Sequence, residues 1–267
     1  MNGLRLFGCY ASASLRAQAQ YPASAALLAA GQCLVTLVEA VGVWALFDRF
    51  GSVQGWAFGT VALFYALVNI QFALADLLGR GFDVLGTELL RSGTFDRLLL
   101  RPRSLTLQLM GHDLRLSRLG RLVTGLVMLV LATRLAPVDW SVAHIAIALW
   151  ALAGGVALFF GILVLQGALA FWTIESLELA NVFSYGGVEA AQYPLALYER
   201  WFRLVLTFVV PLACVAYFPV LAILDRADPL GTPRWLGALA PAAGFAFLGL
   251  SFAVWHAGLR RHASTGT

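Results

Sequence analysis

An all-α polytopic membrane protein with six transmembrane helices is predicted by three observations. The 267 residues are 60% hydrophobic and only 12% charged, with a mean hydropathy of +0.81, a balance that leaves a water-soluble domain too little polar surface. Six charge-poor stretches approach the roughly 20 helical residues needed to cross a hydrocarbon core about 30 Å thick. Lysine is absent, so all 18 basic residues are arginines, and 14 of them fall in segments that an even number of crossings places on one side. That asymmetry is the positive-inside pattern, and it predicts one transmembrane domain over 1–267 with both termini cytoplasmic. Arginines facing anionic headgroups also account for the net charge of +4 without nucleic acid.

Residues 1–20 lack the continuous apolar core and cleavage pattern of a signal peptide. Leu4, Phe7, Ala11 and Leu15 recur at helical spacing around Arg5 and Arg16, which predicts an N-terminal interfacial helix. Spans are expected at about 25–46, 56–77, 119–135, 142–171, 204–224 and 236–259. The third is short because Arg121 and Arg134 bound it, both able to snorkel to an interface. Ala136, Pro137, Val138, Asp139 and Trp140 combine a helix breaker, an acid and an interfacial aromatic, so a tight turn between antiparallel helices is expected there. This topology puts Arg200 and Arg203 on the arginine-rich side, and Arg49, Arg134, Arg226 and Arg234 on the other, where the loops are too short for a receptor domain.

Polar groups inside the spans are the candidate cargo path, because a charge at the bilayer centre costs at least about 2.5 kcal/mol. Glu39 lies well inside the first span; it can line a cavity, bond to another helix or sit protonated against a partner. Asn69 and Gln71 of the second span are candidates for the path or for interhelical hydrogen bonds, and Asp76 is expected to be solvated near the inner interface. Pro211 and Pro219 must free backbone carbonyls within the fifth span, so a kink and a candidate hinge are expected. Glu175, Glu178, Glu189 and Glu199 read as a solvated cytoplasmic elbow: no histidine joins them as a metal site requires. His144, His256 and His262 are isolated near membrane ends, and Cys9, Cys33 and Cys214 read as free thiols. No catalytic or metal-binding residue is assigned.

Absence of lysine has a chemical consequence. A Walker A loop needs a lysine after its second glycine, so this chain cannot build one, and Schiff-base chemistry is excluded with it. An integral membrane lipid-modifying enzyme would need an acid, base or metal cluster at one interface, and a secondary transporter an internal repeat with matching interrupted helices. Neither signature is evident.

The longest inner segment, 79–118, is dense in leucine and arginine. Its stretch from Leu89 to Arg103 is amphipathic yet too short to span; on physical grounds it is either a passive surface helix or a connector pushed by a soluble partner. The run Gly93, Thr94, Phe95, Asp96, Arg97, Leu98, Leu99, Leu100, Arg101, Pro102 resembles the signature of bacterial ATP-binding-cassette (ABC) type-2 export permeases, in the six-span subgroup without an ATPase domain of its own. Arg80 to Asp83, Gln192 to Leu195 with Phe208 to Ala213 and Tyr217 to Pro219, and the ending Trp255 to Gly266 resemble the same subgroup. His262 departs from it, standing where tyrosine is expected.

The resemblance implies a non-catalytic permease subunit of an ABC exporter in the bacterial inner membrane. It implies a coupling helix between spans two and three that docks on a separate nucleotide-binding subunit carrying ATP and Mg. Phe95 and Leu98 would fill a groove on that ATPase, with Asp96, Arg97 and Arg101 setting register. A second permease chain, the same or related, and membrane lipid complete the implied partners.

Overall fold

The computed structural model describes residues 3–112, 114, 116–136, 138–173 and 177–261. The ending 262–266, Glu175 and the side chain of Glu178 lie outside the described residues. Helix α1 (Gly3–Ala19) turns at Tyr21 into α2 (Pro22–Phe50). Pro22 opens α2, where a missing N–H removes no helical hydrogen bond. A two-residue hairpin, β1 (Ser52–Val53) and β2 (Trp56–Ala57), then reverses the chain. Its turn residues Gln54 and Gly55 both take positive φ, the twist that tight antiparallel hairpins demand.

Helix α3 (Phe58–Asp83) runs on through a π-helical stretch, Leu85–Leu90, into two short helices, α4 (Thr94–Leu99) and α5 (Leu105–Met110). A 3-10 turn, Leu116–Arg118, leads into α6 (Leu119–Leu135). Helix α7 (Val142–Leu169) starts at Ser141, whose hydroxyl accepts from the His144 backbone N–H. Helix α8 (Leu177–Ala191) precedes α9 (Arg200–Leu204), whose π-helical continuation Val205–Val209 ends at Pro211. The chain closes with α10 (Leu212–Val215), α11 (Tyr217–Ile223), α12 (Leu236–Leu239) and α13 (Ala242–Arg261).

The architecture is all-α apart from the hairpin, and α3 is its axis. Buried along nearly its whole length, α3 packs against α6, α7 and α8, while α13 covers α7 from behind. Helix α2 is the opposite case: Leu27, Leu34 and Val38 are among many exposed apolar side chains on it. In water such a face would be costly, at about 25 cal/mol per Å²; against lipid it is not.

Among the described residues, four helices are long and apolar enough to cross a membrane: Pro22–Phe50, Phe58–Leu90, Val142–Leu169 and Leu236–Arg261. They coincide with the first, second, fourth and sixth expected spans. The third falls on α6, whose 17 residues make about 26 Å of helix, just short of the core. The fifth expected span carries the kink its prolines predict: Arg200–Val209 and Leu212–Ile223 are bent by 72° at the break that holds Pro211. The turn expected at 136–140 is present, since α6 stops at Leu135 and α7 starts at Val142.

Candidate functional site

At the arginine-rich end of the bundle, Gly93 takes a left-handed φ of 67° and redirects the chain into α4. The helix has two faces. Phe95 and Leu98 point inward and are buried, whereas Arg97, Leu99, Leu100 and Arg101 point outward, Leu100 with 85% of its surface open. Phe95 lies 5.5 Å from the ring of Phe171, which stands 5.3 Å from Trp255. Trp255 in turn meets Phe82 at 5.1 Å. This corrects the expectation that Phe95 and Leu98 enter a groove on another protein: both are buried in the chain's own core, Phe95 against Phe171 just past α7. Asp96 is half-buried.

Polar ties brace the same end. Asp83 accepts from Gln166 of α7 at 2.7 Å and pairs with Arg80. Asp76 pairs with Arg118 at 2.8 Å and is almost fully buried, so its expected solvation is corrected. Ion pairing across α3 and the start of α6 replaces water there.

Asn69 and Gln71 are both fully buried but serve opposite faces of α3. The Gln71 amide donates to the carbonyls of Ala151 at 2.9 Å and Val215 at 3.0 Å. Val215 needs that donor because the residue four positions on is Pro219, which has no N–H. Close approach is possible because position 155 is glycine; a Cβ there would stand 2.0 Å from the Gln71 amide carbon. Pro211 similarly strips the Thr207 carbonyl, towards which the Cys214 thiol points at 4.0 Å. Both prolines thus leave orphan carbonyls at the bend, and side chains meet them.

Asn69 faces α6. Its amide donates to the Tyr65 carbonyl at 2.8 Å and its oxygen accepts from Arg121 at 3.4 Å, while Arg121 lies over the Phe72 ring at 5.1 Å. The Tyr65 hydroxyl donates to the Thr36 carbonyl at 2.7 Å, and the Thr36 and Thr124 hydroxyls meet at 2.9 Å. Glu39 of α2 has one carboxylate oxygen buried without a hydrogen bond. Glu189, on α8 and exposed, lies within electrostatic reach of both Glu39 and Arg121. Glu39 and Asn69 therefore border one polar cluster around Arg121 and Tyr65; Gln71 belongs to another contact.

At the opposite end, Arg226 sits 3.9 Å from the Trp56 ring and donates to the Gly55 carbonyl at 3.1 Å. Tyr217 donates to Asp228 at 2.7 Å, and His144 faces Asp225 at 3.5 Å. Arg203 lies within electrostatic reach of Tyr217. The Tyr198 hydroxyl donates to the Ala190 carbonyl at 2.9 Å; burial, ahead of nearby Tyr193 and Glu189, pushes it up to about 12. Arg121, Thr36, Thr124 and Gln166 escaped the site assignment from sequence. Their signal was present as isolated polar residues within or beside apolar runs, without any indication of which helices would meet.

A bundle with a lipid-facing exterior, braced polar contacts and a two-faced helix at one end is an integral membrane protein. The chain matches the family described as ABC-2 family transporter protein over residues 33–266, and it belongs to that family, whose members are membrane components of transporters. No curated protein and no solved structure matches it.

Proposed function

We propose that this chain is the permease subunit of an ATP-driven exporter in the bacterial inner membrane, working with a separate nucleotide-binding subunit. One observation carries the reading: α4 is anchored to the membrane helices by Phe95 and Leu98 while it offers Arg97, Leu99, Leu100 and Arg101 outward. A helix with one face fixed and one face open is suited to passing a push inward. ATP and Mg belong to the partner, since this chain has no lysine for a phosphate loop. Closure of paired ATPases moves α4 and the helices it is bound to, redirecting the opening of the cargo path.

On this reading the chain crosses six times, with α8 as the fifth crossing and the bent pair dipping in from the hairpin end. Support comes from the bent pair's two arms, since Arg203 on one and Arg226 just past the other both lie near Tyr217. Arg200 and Arg203 then join the sparse side, and the arginine bias keeps its sign. A second permease chain would cover part of α2. Glu39 and Asn69, bordering the Arg121 cluster, remain the candidate cargo contacts, with the bend at Pro211 and Pro219 as the hinge.

The test is reconstitution in vesicles with and without the cognate ATPase. Cargo movement and cargo-stimulated ATP hydrolysis are expected only with both proteins, and Glu39→Gln should shift preference among cargoes. Transport by the isolated chain rejects the reading. Maleimide labelling of Arg203→Cys from outside intact cells tests the crossing scheme; labelling only after lysis returns Arg203 to the inner side.

A further inference from the structure

A groove of about 490 Å³ lies between α2 and α6. Leu37, Val41 and Trp44 form one wall and Val127 and Leu131 the other, each about half exposed, over the buried Ala40 and Met128. On the inner side α6 meets α2 backbone to backbone, since a Cβ on Gly120 would stand 2.5 Å from the Ala29 carbonyl oxygen. The opposite end reaches Phe58 and Leu135, beside the hairpin.

Along most of its length the groove asks for no hydrogen bond. Thr124 donates to the Gly120 carbonyl at 3.2 Å and meets the Thr36 hydroxyl at 2.9 Å, and the Cys33 thiol lies 3.6 Å from Thr124. Trp44, toward the hairpin end, differs: its indole N–H makes no hydrogen bond to the described residues. An indole is the amphipathic group that settles where acyl chains meet headgroups.

Dimensions choose the occupant. From Cys33 to Trp44, both on the groove, α2 covers about 16 Å at 1.5 Å per residue, and one leaflet's share of a hydrocarbon core is about 15 Å. A helix laid over such a groove fills it only where a side chain points inward. One hydrocarbon chain lying along it fills the whole length. Space left open there forfeits dispersion contacts, and water does not take an apolar void.

We propose that this groove holds one acyl chain of a phospholipid from the leaflet at the hairpin end, with the ester region beside Trp44. Exposed Asp48, Arg49 and Arg134 bring both signs of charge to that end, so the site selects the chain and not the headgroup. It is independent of the transport reading, because it needs only α2 and α6 in a bilayer.

The test uses the full chain in nanodiscs of phosphatidylethanolamine, a fraction of which carries a diazirine on one acyl chain. The sample is transferred to detergent, washed and illuminated, and adducts are mapped by mass spectrometry. About one adduct per chain is expected, on Leu37, Val41, Val127 or Leu131, at least several-fold above the exposed Leu27 and Leu250 outside the groove. Val127→Trp and, from the other wall, Val41→Trp should each cut that yield at least several-fold by filling the groove. Val130→Trp, on the exposed surface of α6 outside it, should leave the yield unchanged. Adducts spread evenly over exposed apolar residues, full yield in both groove variants, or an equal loss in Val130→Trp overturns the proposal. In a Cys9→Ser, Cys33→Ser, Cys214→Ser background, an interchain disulfide through Val127→Cys would assign the groove to a second copy of the chain and overturn it as well.

Discussion

Arg118 and Asp76 form an ion pair across 2.8 Å with Asp76 almost wholly buried, joining the start of α6 to the inner part of α3. Burial leaves Asp76 little water to take the place of Arg118. Asp76→Asn should therefore destabilise the chain by about 3 kcal/mol, the low end for breaking a buried pair because Arg118 keeps some exposure. Thermal unfolding in detergent measures it, and Arg118→Met in the Asp76→Asn background should recover part of the loss. A larger loss in the double variant would contradict a pairwise role.

Gln71→Met keeps the length and volume of the side chain but removes the donor from the Val215 carbonyl. Stability should fall by about 1–3 kcal/mol, the cost of leaving a buried acceptor unpaired. In a Cys9→Ser, Cys33→Ser background, Cys214 beside that carbonyl should also label faster with maleimide. Unchanged stability and labelling would reduce Gln71 to a space-filling role.

Two substitutions on α4 should separate its faces. Phe95→Ala removes a buried ring, a change that costs about 3–5 kcal/mol, and should raise hydrogen exchange across 94–99. Leu100→Asp, on the open face, should leave exchange unchanged while reducing co-purification with the ATPase at least several-fold. The assignment of faces fails if the two variants exchange these effects.

Arg226 is planar over Trp56 and donates to Gly55 at once, a pair of contacts an ammonium does not reproduce. Arg226→Lys should loosen the hairpin by about 1 kcal/mol, read as faster hydrogen exchange at 52–57 and a changed Trp emission. An unaltered hairpin would show that the contact is incidental.

Much of this bundle was legible before any helix was placed. Continuous apolar runs announced α2, α3, α7 and the α12–α13 stretch, because membrane crossing imposes a length and a composition together. Pro211 and Pro219 announced a bend for the same local reason: a ring without an N–H cannot serve the carbonyl behind it. The candidate site was harder to read, since it depends on partners distant in sequence. Whether Asp76 is solvated or paired is decided by Arg118, and whether Phe95 faces a partner or its own chain is decided by Phe171 and Trp255. That Glu189 comes within electrostatic reach of Glu39 depends likewise on how α8 sits against another helix, which its neighbours in sequence do not show.

Helices α7 and α13 meet at bare backbone: a Cβ on Gly244 would stand 2.0 Å from the Gly154 carbonyl oxygen. Trp150 and Phe245 stack nearby at 5.2 Å. With no side chain between the backbones at that crossing and ring pairs locking the helices on either side of it, the two helices resist sliding or rolling and travel as a single strut. Any rearrangement of this protein must then be shared among the elements around that strut, with the loosely covered α2 the freest to move.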